Sequence, residues 1–213
     1  IKPTLQLMEE KLFRPAFTDA DFYRMKERVL QGLQQQVKTP SSLAIRARDL
    51  ILFGEENRVS LPNEGTIASV SRITLDDVKA FYERYYSPAK ASMVVVGNLT
   101  PEQTIDALDF LNNWKGQDYE FVDYQEFPQY EEKNVYLVHS PDAVQSVVYV
   151  VDRGLPFDAT GEYFKTRLMN FPLGGAFNSR INLNLREDKG ITYGANSGFV
   201  GGKTLGWFEV STD

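Results

Sequence analysis

The sequence predicts an α+β fold in which mixed, mainly antiparallel sheets are covered by helices. Apolar residues spaced at i, i+3 and i+4 dominate the amino-terminal half, and short β-branched runs stand apart at 93–96, 135–138 and 146–151. Capping residues, Pro and Gly mark the joints between these segments. With 213 residues, 42% of them hydrophobic and 13% aromatic, the chain holds enough apolar material for a packed core.

Taken in order, Leu5, Leu7, Met8, Leu12 and Phe13 form a first helix that Pro15 ends. Thr18 caps a second helix, with Asp19 and Asp21 favourable in its first turn and Phe22, Met25, Val29 and Leu33 as its buried stripe. Ser41 or Ser42 caps a third, closed by Gly54. A short helix over 66–70 follows, and Thr74 then caps a helix whose Val78, Phe81, Tyr82 and Tyr85 face inward before Pro88 stops it. Met93-Val94-Val95-Val96 reads as a strand covered on both faces. Thr100 and Gln103 form a capping box around Pro101, and Ile105, Leu108, Leu111 and Trp114 complete that helix.

The formal charge of −6 is concentrated in residues 117–132, which hold six acids and no Lys or Arg, so the remainder is balanced. Five aromatics, Tyr119, Phe121, Tyr124, Phe127 and Tyr130, are interleaved there and are expected to lie against a domain surface. Beyond this segment, 135–138 and 146–151 read as strands joined at Pro141-Asp142. A helix over 161–171 ends before Pro172, a further helix follows, and strands over 192–200 and 205–211 are linked by Gly201-Gly202-Lys203. The expected organisation is therefore 1–116 as the second half of one domain, 117–132 as an acidic aromatic connector, and 133–213 as the first part of the next domain. A start without Met in mid-helix, and a last strand running to the final residue, read as a fragment of a longer protein.

Composition narrows the chemistry. The absence of Cys excludes disulfides and thiolate metal sites. No basic stripe is present for nucleic acid, and no apolar run approaches the roughly 20 residues of a membrane span. The one His, His139, is followed by Ser140, Pro141 and Asp142, so neither H-x-x-E-H nor H-E-x-x-H occurs. It reads as an ordinary strand-end residue, and its isolation also excludes Ser-His-Asp and Cys-His catalysis. Gly202-Lys203-Thr204 is not a phosphate loop, because Ser197 stands where the pattern requires Gly and a strand follows where a helix is needed. The acids of 117–132 lie in a connector without a rigid pocket, which disfavours acid/base hydrolysis. Gly174-Gly175 is expected to serve tight packing between two helices.

Residues 178–194 combine local structure signals with chemistry. Asn178 is placed to cap a helix, Phe177, Ile181 and Leu185 share one apolar face at i, i+4 and i+8, and Lys189 with Gly190 end it. Arg186 then sits in the last helical turn and Tyr193 at the start of a strand, on opposite sides of one corner. On spacing alone the structural reading prevails, since an Arg near a helix carboxyl end is favoured by the dipole and a strand Tyr is commonly packing.

The residues Leu173-Gly174-Gly175, Ser179-Arg180, Arg186-Glu187, Gly190 and Tyr193 stand in the order LGG-x-x-x-SR-x-x-x-x-x-R-E-x-x-G-x-x-Y. This pattern resembles a segment of the carboxy-terminal halves of the pitrilysin/insulinase zinc metallopeptidases, whose inverted zinc motif is H-x-x-E-H. Phe81-Tyr82, Tyr86-Ser87-Pro88 and Val94-Val95-Val96-Gly97-Asn98 extend the resemblance upstream over nearly the whole chain. The resemblance implies a non-catalytic, substrate-enclosing domain of a zinc metalloendopeptidase. Arg186 and Tyr193 would hydrogen-bond the backbone of a peptide or unfolded protein and stabilise a carbonyl as it gains negative charge. Arg180, beside Ser179, is expected to make structural bonds instead. No metal or cofactor is expected in this chain; zinc would lie in the catalytic half of the parent, which is the same protein or a partner subunit. The chain alone would be inactive, a homo-oligomer is possible, and the implied setting is a bacterial cell envelope. The alternative is a structural or assembly subunit of the same fold without a peptidase role.

Overall fold

The fold is described from a computed structural model that covers residues 2–120, 126–141 and 143–213. Among the expected features, Phe121, Asp123, Tyr124 and Asp142 lie outside the described residues. Two units are distinguished, one of Ile1–Gln31 with Thr66–Asp123 and one of Gly32–Gly65 with Tyr124–Asp213.

The first unit holds α1 (Lys2–Phe13), most of α2 (Asp19–Gln36), α4 (Ile67–Arg72), α5 (Leu75–Tyr85) and α6 (Pro101–Ala107), and aromatic side chains make several of its contacts. Phe13 meets Phe110 edge-on, Phe17 meets Tyr82, and the Tyr82 hydroxyl donates to the Leu12 carbonyl. Lys26 donates to the Ser71 and Ile73 carbonyls at 2.7 Å, satisfying acceptors that the end of α4 leaves open. The caps follow the sequence signals closely: Thr18, Thr66, Thr74 and Thr100 each accept an amide from the first turn of their helix. Met25 and Phe81, expected to face inward, are exposed instead.

The second unit is built on an antiparallel sheet of order β1-β3-β2, with β1 at Val148–Gly154, β2 at Ala195–Gly201 and β3 at Gly206–Thr212. In register, Val150 pairs with Val210, and Val210 with Ser197. α3 (Pro40–Phe53) covers the face that carries Trp207 and Glu209. Thr39 holds its cap position, Pro40 starts it, and Gly54 ends it at φ 79°. Phe53, only 1% exposed, stacks edge-on with Trp207 and Phe127. Phe127 thus packs against α3, and the Tyr130 hydroxyl donates to the Ile51 carbonyl at 2.9 Å. α3 falls within the span 1–116 expected to be one domain, yet it packs on strands that follow residue 133.

Two expected strands are not formed. Residues 93–96 and 135–138 join no strand pairing among the described residues, with Val96 93% and Val135 99% exposed. Their β-branched sequence favours a pleated ladder, but no neighbouring strand supplies the other half of the hydrogen bonds.

Against the opposite face of the sheet lies α7 (Glu162–Asn170). The Tyr163 hydroxyl donates to the Phe199 carbonyl at 2.8 Å, and Asn170 exchanges two bonds with Ser197, Nδ2 to the carbonyl at 2.7 Å and Ser197 Oγ to Oδ1 at 2.6 Å. The helix does not stop before Pro172. It widens into a π-wound turn over Phe171–Gly175, where a Pro without an N–H is accommodated by looser winding. This turn brings Gly174 onto β2, where a Cβ would lie 2.1 Å from Ser197 Oγ and 2.5 Å from the Ser197 nitrogen. Gly174 therefore serves packing of a helical turn on a strand rather than between two helices.

Arg48 links α3 to the sheet. Its guanidinium donates to Asp49 at 2.8 Å and to Glu209 at 2.7 Å and lies 5.0 Å from the Trp207 ring centroid, while Trp207 Nε1 also donates to Glu209. Two carboxylates share one cation. Burial pushes the Asp49 carboxyl above its usual range, Arg48 opposes the shift, and the Glu209 charge adds to it.

Two outcomes follow from this architecture. Because the folded pKa of Asp49 is raised, its stabilising contribution is full below about pH 4 and is lost as the pH rises through the raised value. Urea denaturation across that range should therefore show the stability difference moving in favour of Asp49→Asn as the pH increases, and the opposite slope would contradict the arrangement. Gly174→Ala should destabilise the chain by about 3 kcal/mol, because its new methyl meets backbone that cannot give way. A change in denaturation midpoint within error of zero would refute the close approach.

Candidate functional site

The corner between the π-wound turn and β2 begins at Ala176, whose carbonyl accepts from the Ser179 amide at 3.0 Å. Ser179, not Asn178, occupies the cap position, and α8 spans only Arg180–Asn182 before the winding widens over Leu183–Asp188. The Lys189 amide donates to the Asn184 carbonyl at 3.1 Å, a five-residue step that marks the wider turn. Gly190, at φ 61°, then reverses the chain, and the Ile191 amide closes back on the Leu185 carbonyl at 3.1 Å.

A buried amide ties the two ends of this corner together. Asn182 donates to the Phe177 carbonyl at 2.7 Å and accepts the Ala195 amide at 3.0 Å, joining the residues before the helix to the first residue of β2. Thr192 orders the intervening loop through the Gly194 amide at 3.1 Å, and the Thr212 hydroxyl donates to the Gly194 carbonyl at 3.1 Å. Sequence reading missed Asn182 and Thr192. An Asn at mid-helix, where it competes for backbone bonds, was the available signal for the first.

Arg186 lies within the π-wound segment, its side chain 38% exposed. Its Nε is 3.3 Å from Glu187 Oε1, and its Cζ is 4.6 Å from the Phe177 ring centroid. Among the described residues, no hydrogen bond occupies its terminal nitrogens. Tyr193 precedes β2 by two residues and is 86% exposed. Phe177, expected on the buried stripe, is exposed, because that stripe presumed regular α winding from residue 177. Ile181 and Leu185 do turn inward, lining a cavity of about 540 Å³ with Leu173, Arg180, Asn184 and Val210. The structural bonds expected of Ser179-Arg180 are not made by their side chains: the Ser179 hydroxyl is buried without a partner among the described residues, and Arg180 borders the cavity.

Other candidates resolve as structure. Asp118 pairs with Lys90 at 3.0 Å, and that bond holds its carboxyl below the usual range. Gly202 sits in the β2–β3 hairpin, donating to the Leu205 carbonyl at 2.8 Å and accepting from the Phe157 amide. His139 is exposed, and no group of three or more His, Cys, Asp or Glu among the described residues is placed to hold a metal ion. The donor set does not fit zinc.

A family model described as the peptidase M16 inactive domain matches residues 72–213. The chain is 30% identical over 195 residues to the non-peptidase homolog YmxG of Helicobacter pylori, covering 87% of this chain and 42% of that protein. It is 20% identical over 193 residues to the uncharacterized zinc protease YmxG of Bacillus subtilis, covering 91% of this chain and 46% of that one. The crystal structure of a peptidase M16 inactive domain from Pseudomonas fluorescens aligns with a TM-score of 0.82 at 24% identity, over 99% of this chain and 50% of its own. The chain thus spans about half the length of the relatives it matches. With an α+β fold, no set of zinc ligands among the described residues, and a family match over residues 72–213, it belongs to the M16, or pitrilysin/insulinase, peptidase family and carries that family's inactive type of domain.

Proposed function

We propose that this chain helps to enclose an unfolded polypeptide within a larger M16 protein, gripping its main chain through Arg186 and Tyr193. The observation that supports this most is the state of Arg186: a guanidinium on a tied-down corner, with its terminal nitrogens open to a ligand. A peptide carbonyl is the matching acceptor, and a charge-assisted bond from a cation is among the stronger hydrogen bonds. Tyr193 adds an exposed phenolic donor in the same helix–strand unit. Both bonds address backbone, so recognition would tolerate many sequences. Hydrolysis, where it occurs, belongs to another part of the protein or to a partner subunit.

A second reading, a scaffold or assembly role, draws support from the Helicobacter pylori relative, which is named a non-peptidase homolog. The two readings differ in what Arg186 does. In the full-length protein, Arg186→Ala should weaken binding of fluorescein-labelled carboxymethylated α-lactalbumin, a permanently unfolded chain, by roughly ten- to a hundredfold, and Tyr193→Phe by a smaller factor. Thermal midpoints should stay within error, because both side chains reach the surface. Unchanged binding in both variants would sink the gripping role and leave the scaffold reading standing.

A further inference from the structure

We infer that Phe177 is a positioning residue that holds Arg186 ready for a ligand; this rests on the reading of Arg186 as a peptide contact. Phe177 contributes little to the core, since 66% of it is exposed. Its backbone is nevertheless fixed from within: the buried amide of Asn182 donates to the Phe177 carbonyl at 2.7 Å. The ring is thereby held at the surface 4.6 Å from the Arg186 guanidinium carbon, where the negative face of an aromatic ring attracts a cation. Glu187 pairs with the same group, its Oε1 3.3 Å from Nε, and the terminal nitrogens are left for a ligand.

The consequence is preorganisation. A free Arg side chain samples many rotamers and gives up that freedom when it binds. One that already rests on a ring and against a carboxylate surrenders less, so part of the ordering is complete before a peptide arrives. An aliphatic residue of similar size would keep the surface contact but lose the attraction, which depends on the ring's charge distribution rather than on its volume.

The test compares variants of the full-length protein by fluorescence anisotropy, with fluorescein-labelled carboxymethylated α-lactalbumin as the probe. Phe177→Leu should weaken binding about two- to fivefold, Phe177→Trp should restore it, and Phe177→Leu added to Arg186→Ala should cause no further loss. Binding by Phe177→Leu equal to wild type, while Arg186→Ala is impaired, would overturn the positioning role and leave the gripping role intact. An equal loss from Phe177→Leu with and without Arg186 would also overturn it, because the ring would then act on its own. No effect of Arg186→Ala would remove this inference, and if Tyr193→Phe also left binding unchanged the gripping role would fall with it.

Discussion

The carboxy-terminal unit depends on one side-chain amide. Asn182 is buried, and it closes a loop of chain by donating to the carbonyl of Phe177 and accepting the amide of Ala195. A buried amide left unpaired costs free energy, so both bonds must form together or the corner opens. When they form, the approach to the helix, the widened helical turn and the first residue of β2 become one piece. Arg186 and Tyr193 are carried on that piece.

Underneath, the same logic recurs one turn earlier. Asn170 and Ser197 bond each other twice, and Gly174 approaches the strand too closely for any side chain. The two π-wound turns, Phe171–Gly175 and Leu183–Asp188, each adjoin one of these polar clasps. Wide winding is strained for a helix on its own and persists where surrounding bonds enforce it. On the other face of the sheet a third polar contact, Arg48 between Asp49 and Glu209, fastens α3. This unit is thus held by a few buried or half-buried polar contacts as well as by its aromatic core.

Much of the architecture was legible in the residues. Threonine caps, Pro starts and Gly190 are local signals with local causes, and they placed the starts of α2, α4, α5 and α6 and the helix-to-strand corner within a few residues, although α6 ends at Ala107 rather than near Trp114. The hairpin of β2 and β3 was likewise announced by its glycines. What failed was nonlocal. The apolar runs at 93–96 and 135–138 carry strand propensity, but a strand needs a partner that propensity cannot supply. The π winding was invisible because a periodicity count presumes regular turns, which put Phe177 on the wrong face and left its proximity to Arg186 unforeseen. Asn182 carried a signal that the spacing argument did not use, an amide inside a helix where its backbone-bonding side chain is a poor fit.

On the proposed reading, the corner would act through shape and hydrogen bonds that it presents to an extended backbone. A crystal structure of the full-length protein with a bound peptide tests this most directly. The account predicts main-chain carbonyls of the peptide within hydrogen-bond distance of the Arg186 terminal nitrogens and the Tyr193 hydroxyl. A peptide bound elsewhere, with both side chains still facing open solvent, would contradict it.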